Sequence, residues 1–194
     1  RGGRSGQRDG AGDQAIGVLM RRWAFWIVAT LAVAAVVHYF TLVRTPGFIM
    51  NKVMMRMGEV NHIHHQGRVT DKSRGVVRPS PDLLYSVCPF DLSQGALHVT
   101  GKVPKGTYWS VSIFDADTNN FYVKNDRQAK GSIDLLVTTP TNDVRRPKGA
   151  TEVISPTAKG LVLFRTLIND EKDFAAIDAV RRTANCELIR SRAS

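Results

Sequence analysis

The hydrophobic positions of this 194-residue chain form one long unbroken run followed by short alternating runs. Residues 23–43 contain no Asp, Glu, Lys or Arg, and about 20 apolar residues suffice to cross a bilayer as a helix. Amphipathic aromatic side chains mark both ends of the run, as is usual at the two interfaces of a membrane. The pattern predicts one transmembrane signal anchor within residues 15–44, with interfacial Trp23, Trp26, Tyr39 and Phe40.

Two other structures fit the same run. A cleaved signal peptide would use Arg21 and Arg22 as its basic region and Ala32-Val33-Ala34 as its cleavage site, and a fully apolar helix can also be a buried core helix. The run continues nine residues beyond Ala34, which favours an uncleaved anchor. The two arginines place the N-terminus in the cytoplasm and the C-terminal domain in the periplasm.

The segments on either side of the span differ in pattern. Residues 1–14 are glycine-rich, charged and without apolar periodicity, which predicts a disordered cytoplasmic arm. Pro46-Gly47 predicts the end of the membrane helix. Residues 45–60 then predict a juxtamembrane amphipathic helix with Phe48, Ile49, Val53 and Met57 near one face.

Residues 61–189 predict a mainly β domain. Their short β-branched and aromatic runs are separated by turn residues, and Tyr108, Ser110 and Ser112 alternate with apolar neighbours. Seven strands at this spacing predict an antiparallel β-sandwich or a partly closed barrel, with an acidic helix start at Asn169-Asp170 predicting a peripheral C-terminal helix before a tail at 190–194. The predicted strands are 83–90, 96–99, 108–114, 121–124, 133–138, 152–154 and 161–167.

The charge distribution changes the functional picture more than the total does. The chain carries a formal charge of +10, which invites a nucleic-acid interpretation. Residues 81–194, however, hold 15 basic and 13 acidic residues, so the excess lies around the apolar run. Basic residues that flank a membrane segment are attracted to anionic lipid. We therefore expect a lipid bilayer as a partner and no nucleic acid.

Three ordered blocks carry a family resemblance. They are RPSPDLLYSVCPFDLSQGALHVT at 78–100, GTYWSVSIFDADTNNFYVKND at 106–126 and SPTAKGLVLFRTLINDEKDFAAI at 155–177. Together they resemble the bacterial domain of unknown function 1254 family, including its short membrane-anchored members. The resemblance implies an antiparallel sandwich or barrel with a peripheral helix. It also marks as candidate binding residues Asp82, Tyr85, Asp115, Asn119, Asn120 and Arg165.

Arg165 stands out among these because it interrupts the apolar strand LVLFRTLI. A charge there either finds a carboxylate partner or faces solvent or a ligand. Asp82 and Asp115 are the candidate partners for a buried pair, and a ligand-facing guanidinium is the alternative.

A histidine cluster offers different chemistry. His62 and His64 share a face of an extended chain, with His65 beside them. Two imidazoles can reach one zinc or copper ion. Asp115 or Asp117 would have to complete the metal site from another strand. The sequence has no HExxH motif, cysteine pair or nucleophile elbow, so we expect no cofactor unless this cluster binds zinc or copper.

The only two cysteines, Cys88 and Cys186, lie in a domain that we expect outside the cytoplasm. A disulfide between them would close a loop of roughly 100 residues and, in the chain-entropy model, would be worth about 4–5 kcal/mol. A buried free thiol is the alternative.

Together these patterns predict a single-pass protein of the bacterial inner membrane with a periplasmic β domain. We expect it to work by binding, as a recognition module or as an accessory subunit docked on an integral membrane protein or complex. A metal-dependent hydrolase that uses His62, His64 and His65 is the alternative.

Overall fold

A computed structural model describes residues 9–70, 72–73 and 79–191. The chain divides into two compact units, the first ending at Thr45 and the second beginning at Pro46. The second unit contains the end of the long N-terminal helix and all of the β-strands.

Helix α1 spans Asp9–Met57 and differs from the prediction at both ends. Residues 9–14 are helical rather than part of a disordered arm, whose residues 1–8 lie outside the described chain. The helix also continues through Pro46, although a proline inside a helix removes one backbone donor and crowds the carbonyl four residues earlier. Just before the proline, the hydroxyls of Thr41 and Thr45 donate to the carbonyls of Val37 and Thr41.

One stretch of this helix is long and apolar enough to cross a membrane, and none of its most hydrophobic window is buried by protein. The predicted interfacial residues Trp23, Trp26, Tyr39 and Phe40 are likewise exposed.

The β-strands form two sheets. The larger has the order β1-β2-β8-β4-β5 and the smaller the order β7-β6-β3-β9. The larger comprises β1 His64–His65, β2 Leu83–Asp91, β8 Lys159–Leu167, β4 Trp109–Asp115 and β5 Asn120–Asn125. The smaller comprises β7 Thr151–Ile154, β6 Ser132–Thr138, β3 Gly95–Lys102 and β9 Asn185–Arg190.

This arrangement confirms the predicted sandwich and is not a closed barrel. All seven predicted strands form, but β6 and β7 pair in parallel, so the fold is mixed rather than wholly antiparallel. The sequence does not predict β1, because two residues carry no periodicity, or β9, whose apolar positions are interrupted by Glu187. Strand β9 ends at Arg190, and residues 192–194 lie outside the described chain.

The core lies between the two sheets. The inward residues of the larger sheet pack against those of the smaller one in a single cluster. Gly160 allows a close approach, because a Cβ there would lie 2.2 Å from the Phe114 carbonyl oxygen and 2.5 Å from Phe90 Cζ. The largest fully buried side chains include Phe90, Phe164, Leu97, Ile113 and Leu135.

The predicted C-terminal helix is present in two parts. A 3₁₀ turn covers Glu171–Asp173 and α2 covers Phe174–Arg181. Asp170 caps the start by accepting the Lys172 N–H. Ile177 packs with Leu84 and Ile168 as a small second core at one end of the larger sheet.

Candidate functional site

The outer face of the larger sheet turns away from the core and carries several of the family-matching side chains. Because side chains alternate along a strand, the core positions of Cys88, Phe164 and Val111 put their neighbours outside. Two rows of the register therefore lie on this face. One row is Tyr85, Arg165 and Ser110, and the next is Val87, Leu163 and Ser112.

A cavity of about 610 Å³ lies against this face, within the second unit. Its walls are the last turns of α1, residues 66–69 and the sheet, with Ser73 and Pro79 beside them. The volume falls within the roughly 300–1,000 Å³ that is typical of small-molecule sites. Most of the lining is apolar, including Ile49, Met50, Val53, Met57, Val69, Val87, Phe114, Leu161 and Leu163.

The end of α1 therefore acts as the predicted amphipathic helix, but with a shifted face. Ile49, Val53 and Met57 line the cavity as expected for one apolar face. Phe48 is 65% exposed, whereas Met50 and Met54 are buried. The buried face is therefore centred on the side of Met50 and Val53 rather than on that of Phe48.

Asp115 organises the turn that closes one end of the cavity. Its Oδ1 accepts the backbone N–H groups of Asp117 and Asn119 at 2.9 and 2.8 Å, and its Oδ2 accepts Asn119 Nδ2 at 3.0 Å. The carboxylate is buried and fully used within its own loop. Asp115 and Asn119 therefore position the rim of the cavity.

Thr118 lies at the centre of that turn and lines the cavity. Its φ of 66° is in the left-handed region, which is strained for a β-branched residue. Strained backbone of this kind concentrates at ligand and catalytic sites. Asn120 begins β5 beside it, and the register shifts there, so that Phe121 is bulged out between Asn120 and Tyr122.

Tyr85 reaches the cavity from β2. Its phenolic oxygen accepts the Ser80 N–H at 3.0 Å, which fixes the ring at the wall. Asp82, by contrast, is exposed just before the strand, and its carbonyl accepts the Ile168 N–H. The structure brings five of the six family-matching residues to the cavity or next to it and leaves Asp82 at the strand end.

Arg165 lies beside the cavity without a carboxylate partner. Its Nη2 donates to Ser112 Oγ at 3.1 Å. Its Nε is buried and has no hydrogen-bond partner among the described residues. The expected ion pair with Asp82 or Asp115 is not formed within that part of the chain, because the Asp115 carboxylate is already occupied by backbone and amide donors.

Arg68 contributes a second cation to the lining, and this one is paired. Its Nη1 donates to Glu171 Oε1 at 2.5 Å, and its guanidinium lies 5.7 Å from the Phe174 ring centroid. The hydrogen bond that Arg68 donates to Glu171, and the negative charge of Glu171, raise the pKa of Arg68. The pair attaches residues 66–69 to the start of the C-terminal helix.

Sequence reasoning missed the buried Arg181, which resembles an ordinary cation in the last turn of a helix. Its Nη1 donates to the carbonyls of Gln66 and Tyr85 and to Ser86 Oγ, and its Nε and Nη2 donate to Asp178. Burial pushes the pKa of Asp178 up, but hydrogen bonds from Arg182 and Arg181 outweigh it and hold that pKa below its ordinary value. No sequence motif signals the contact with the sheet, because Gln66, Tyr85 and Ser86 lie about 100 residues away in the chain.

The histidines do not converge as the metal-site prediction requires. The rings of His62 and His64 meet edge to face at 5.7 Å between centroids. His64 Nε2 lies 2.9 Å from the Glu59 carbonyl oxygen, and His65 Nδ1 lies 2.8 Å from Ser86 Oγ. Across the described ranges, no three His, Cys, Asp or Glu side chains are placed to hold one metal ion.

Cys88 and Cys186 approach each other from opposite sheets. They lie in β2 and β9, are both buried and are free thiols in this structure, so the predicted disulfide is not formed here. Burial first, and then the hydrogen bond with Cys186, raises the pKa of Cys88. The pairing of these two residues in space agrees with the prediction, and their oxidation stays a prediction.

Comparison with known proteins identifies the domain. Among curated protein sequences, none is significantly similar to this chain. The crystal structure of the VPA0106 protein from Vibrio parahaemolyticus is similar with a TM-score of 0.59 at 13% identity, over 77% of this chain and 35% of that one. The crystal structure of a putative uncharacterized protein from Burkholderia cenocepacia gives a TM-score of 0.45 at 16% identity, over 81% of this chain and 43% of that one.

The first of these likenesses is one of fold alone, and this chain spans less than half the length of either protein. A family model described as "Protein of unknown function (DUF1254)" matches residues 60–187. This range includes the whole sandwich except the end of β9. The chain belongs to the DUF1254 family.

Proposed function

We propose that this protein is a membrane-anchored periplasmic binding domain whose site is the cavity between α1 and the larger sheet. The observation that carries the proposal is the convergence at one apolar cavity of Tyr85, the Asp115–Asn119 turn with its strained Thr118, and the neighbouring Arg165. A largely apolar cavity with a few fixed polar groups is the usual form of a small-molecule site.

The exposed apolar helix supports the membrane part of the proposal. A core helix of a soluble protein buries its apolar surface, whereas the most hydrophobic window of α1 is not buried at all. The basic residues Arg21 and Arg22 before the run favour a cytoplasmic N-terminus and a periplasmic sandwich.

Chain length supports a ligand that comes from the bilayer. Val43 ends the uncharged run and Ile49 already lines the cavity. Six residues span at most about 20 Å even when fully extended. An apolar ligand would therefore have a short path from the membrane to this site.

Binding is better supported than hydrolysis. The histidine rings are engaged with Glu59 and Ser86, and Asp115 is occupied within its own turn. A metal-dependent hydrolase needs converging ligands and an open position for water. No contact in the described chain favours that alternative.

The test is recovery of a ligand with the purified protein. Full-length protein is extracted from its own membranes in mild detergent and analysed by native mass spectrometry, as wild type and as Leu163→Trp, which fills the cavity. Val123→Trp is the matched control, because Val123 lies in the same outer row on β5 but is 59% exposed and outside the cavity.

We expect a bound small apolar molecule in the wild type and the control, and its loss in Leu163→Trp. Met57→Trp, from the opposite wall, repeats the test if the first variant does not fold. A stoichiometric membrane-protein partner with no small ligand would contradict the cavity proposal and support the accessory-subunit function instead.

A further inference from the structure

The guanidinium of Arg165 is the most unusual polar group near the cavity. Burying an unpaired donor of a charged side chain costs free energy that a hydrogen bond would recover. Ser112 satisfies one nitrogen of this guanidinium, while the buried Nε has no partner among the described residues. The arrangement leaves a charged donor ready to bind an acceptor that is not part of the described chain.

The side chain of Arg165 inclines toward the apolar part of the site. Arg165 and Leu163 are two residues apart on the same face of β8, and Ser112, the partner of Arg165, stands opposite Leu163 in the register. Leu163 lines the cavity, as does Tyr85, the β2 neighbour of Arg165. A molecule lying along Leu163 therefore ends next to the guanidinium.

Two of the other ionised groups at the site already have partners. Arg68 is bound by Glu171, and Asp115 is bound by its own turn. Arg165, in contrast, has no carboxylate partner among the described residues. Guanidinium forks match carboxylates in shape and charge, so charge complementarity selects a carboxylate over a neutral or cationic head group.

The volume of the cavity limits the size of the apolar part of the ligand. At about 30 Å³ for each water-sized group, a methylene being of similar size, a cavity of about 610 Å³ holds about 20 such groups. This is enough for one long acyl chain and its head group but not for two chains.

Resting on the proposed function, we propose that the cavity binds a single-chain carboxylate of the fatty-acid class. The acyl chain lies against Val53, Leu161 and Leu163, and the carboxylate accepts hydrogen bonds from Arg165. The phosphodiester of a single-chain phospholipid is the competing head group that the test has to separate from a carboxylate.

The experiment follows the carboxyl carbon of palmitate labelled with ¹³C at C1, added to the full-length protein in phosphatidylcholine nanodiscs. We expect a protein-bound resonance whose carboxyl pKa is about 1–3 pH units lower than that of palmitate in empty nanodiscs, because a neighbouring arginine favours the charged form. Arg165→Met should abolish this lowering and weaken palmitate binding roughly 10- to 100-fold.

Three controls make the outcome specific. Arg127→Met removes an exposed cation after β5 and should change neither quantity. Labelled hexadecanol, which has the same chain and no charge, should bind wild type and Arg165→Met within about twofold of each other. Arg165→Lys keeps a charge without the fork and should recover only part of the pKa lowering, which also keeps the test decisive if the Met variant does not fold.

The two proposals fail differently. If Leu163→Trp removes the palmitate resonance but Arg165→Met leaves its pKa and occupancy unchanged, the cavity binds ligand and the role of Arg165 is wrong. If lysophosphatidylglycerol displaces palmitate at much lower concentration through Arg165, the carboxylate class is wrong. If no resonance responds to Leu163→Trp, palmitate does not bind in the cavity and both proposals lose their support.

Discussion

The two faces of the five-stranded sheet differ in how completely their buried arginine side chains are hydrogen-bonded. On the inner side and at its end, side chains are close-packed, and every guanidinium nitrogen of Arg181 donates to an acceptor. On the outer side the sheet borders a cavity, a strained threonine and Arg165 with an unpaired nitrogen. Both faces belong to the same strands, so the difference is not one of secondary structure.

The comparison teaches where this domain obtains its stability and where a charged donor is left without a partner among the described residues. Close packing and paired charges stabilise a fold, whereas unfilled volume and unpaired donors cost free energy unless a ligand completes them. We infer that the inner face sets the stability of the sandwich and that the outer face is organised for binding. The following predictions test this division.

The largest effect is expected for Asp178→Asn, which breaks the pair with Arg181. The change leaves a buried arginine without its counter-ion, and loss of one partner of a buried pair typically costs about 3–5 kcal/mol. Unfolding of the full-length protein in detergent by guanidinium chloride measures the change in the free energy of unfolding. The matched control is Glu171→Gln, which breaks the exposed pair with Arg68 and should change stability little. If both variants lowered stability equally, the inner face would not be the one that sets the stability of the sandwich.

The second effect concerns the link between the two sheets. If Cys88 and Cys186 form a disulfide in the cell, reduction should lower the free energy of unfolding by about 2–5 kcal/mol. Mass spectrometry of alkylated protein, with and without a reductant, counts the free thiols. Cys186→Ser should be insensitive to reductant. Two free thiols in protein isolated without a reductant would show that the two cysteines are buried thiols and not a disulfide.

A smaller effect, of opposite sign, is expected on the outer face. Thr118→Asn should stabilise the domain by about 1 kcal/mol, because asparagine tolerates the left-handed conformation that strains a β-branched residue. Thermal unfolding measures the gain. Thr141→Asn, at an exposed position without positive φ, should change stability by less than about 0.5 kcal/mol. A destabilised Thr118→Asn would mean that the threonine side chain, rather than strain, defines the turn.

The smallest effect is a pH dependence at the sheet edge. Burial first, and then the charges of Arg181 and Arg182, lower the pKa of His65 below 6.5. The folded state therefore disfavours the charged imidazole, so this contribution to stability is fully present above pH 6.5 and falls as the pH drops below it. Unfolding between pH 8 and 5 should show a decline in the wild type that is weaker in His65→Asn. Identical profiles would remove His65 as the cause.

The strands of the sandwich could be predicted from the sequence, because alternation and turn residues are local signals. The family resemblance marks both Tyr85 and Arg165, and only Arg165 also stands out locally, as a charge in an apolar strand. The cavity could not be predicted, since it forms where a helix and a sheet far apart in the chain pack together. The ion pair of Arg181 with Asp178 and the lack of a partner for Arg165 Nε among the described residues depend on the same long-range packing.

The turn held by Asp115 has a consequence for how such a site can change. The Asp115 carboxylate adds three hydrogen bonds to the backbone pairs that already join Asp115 to Thr118 and Asn119, so the frame does not depend on the side chains between them. Ala116 and Asp117 can then be exchanged without moving the residues on either side. Variation in the relatives of this chain would, on this basis, alter the rim one side chain at a time, and new ligand preferences would require no new fold.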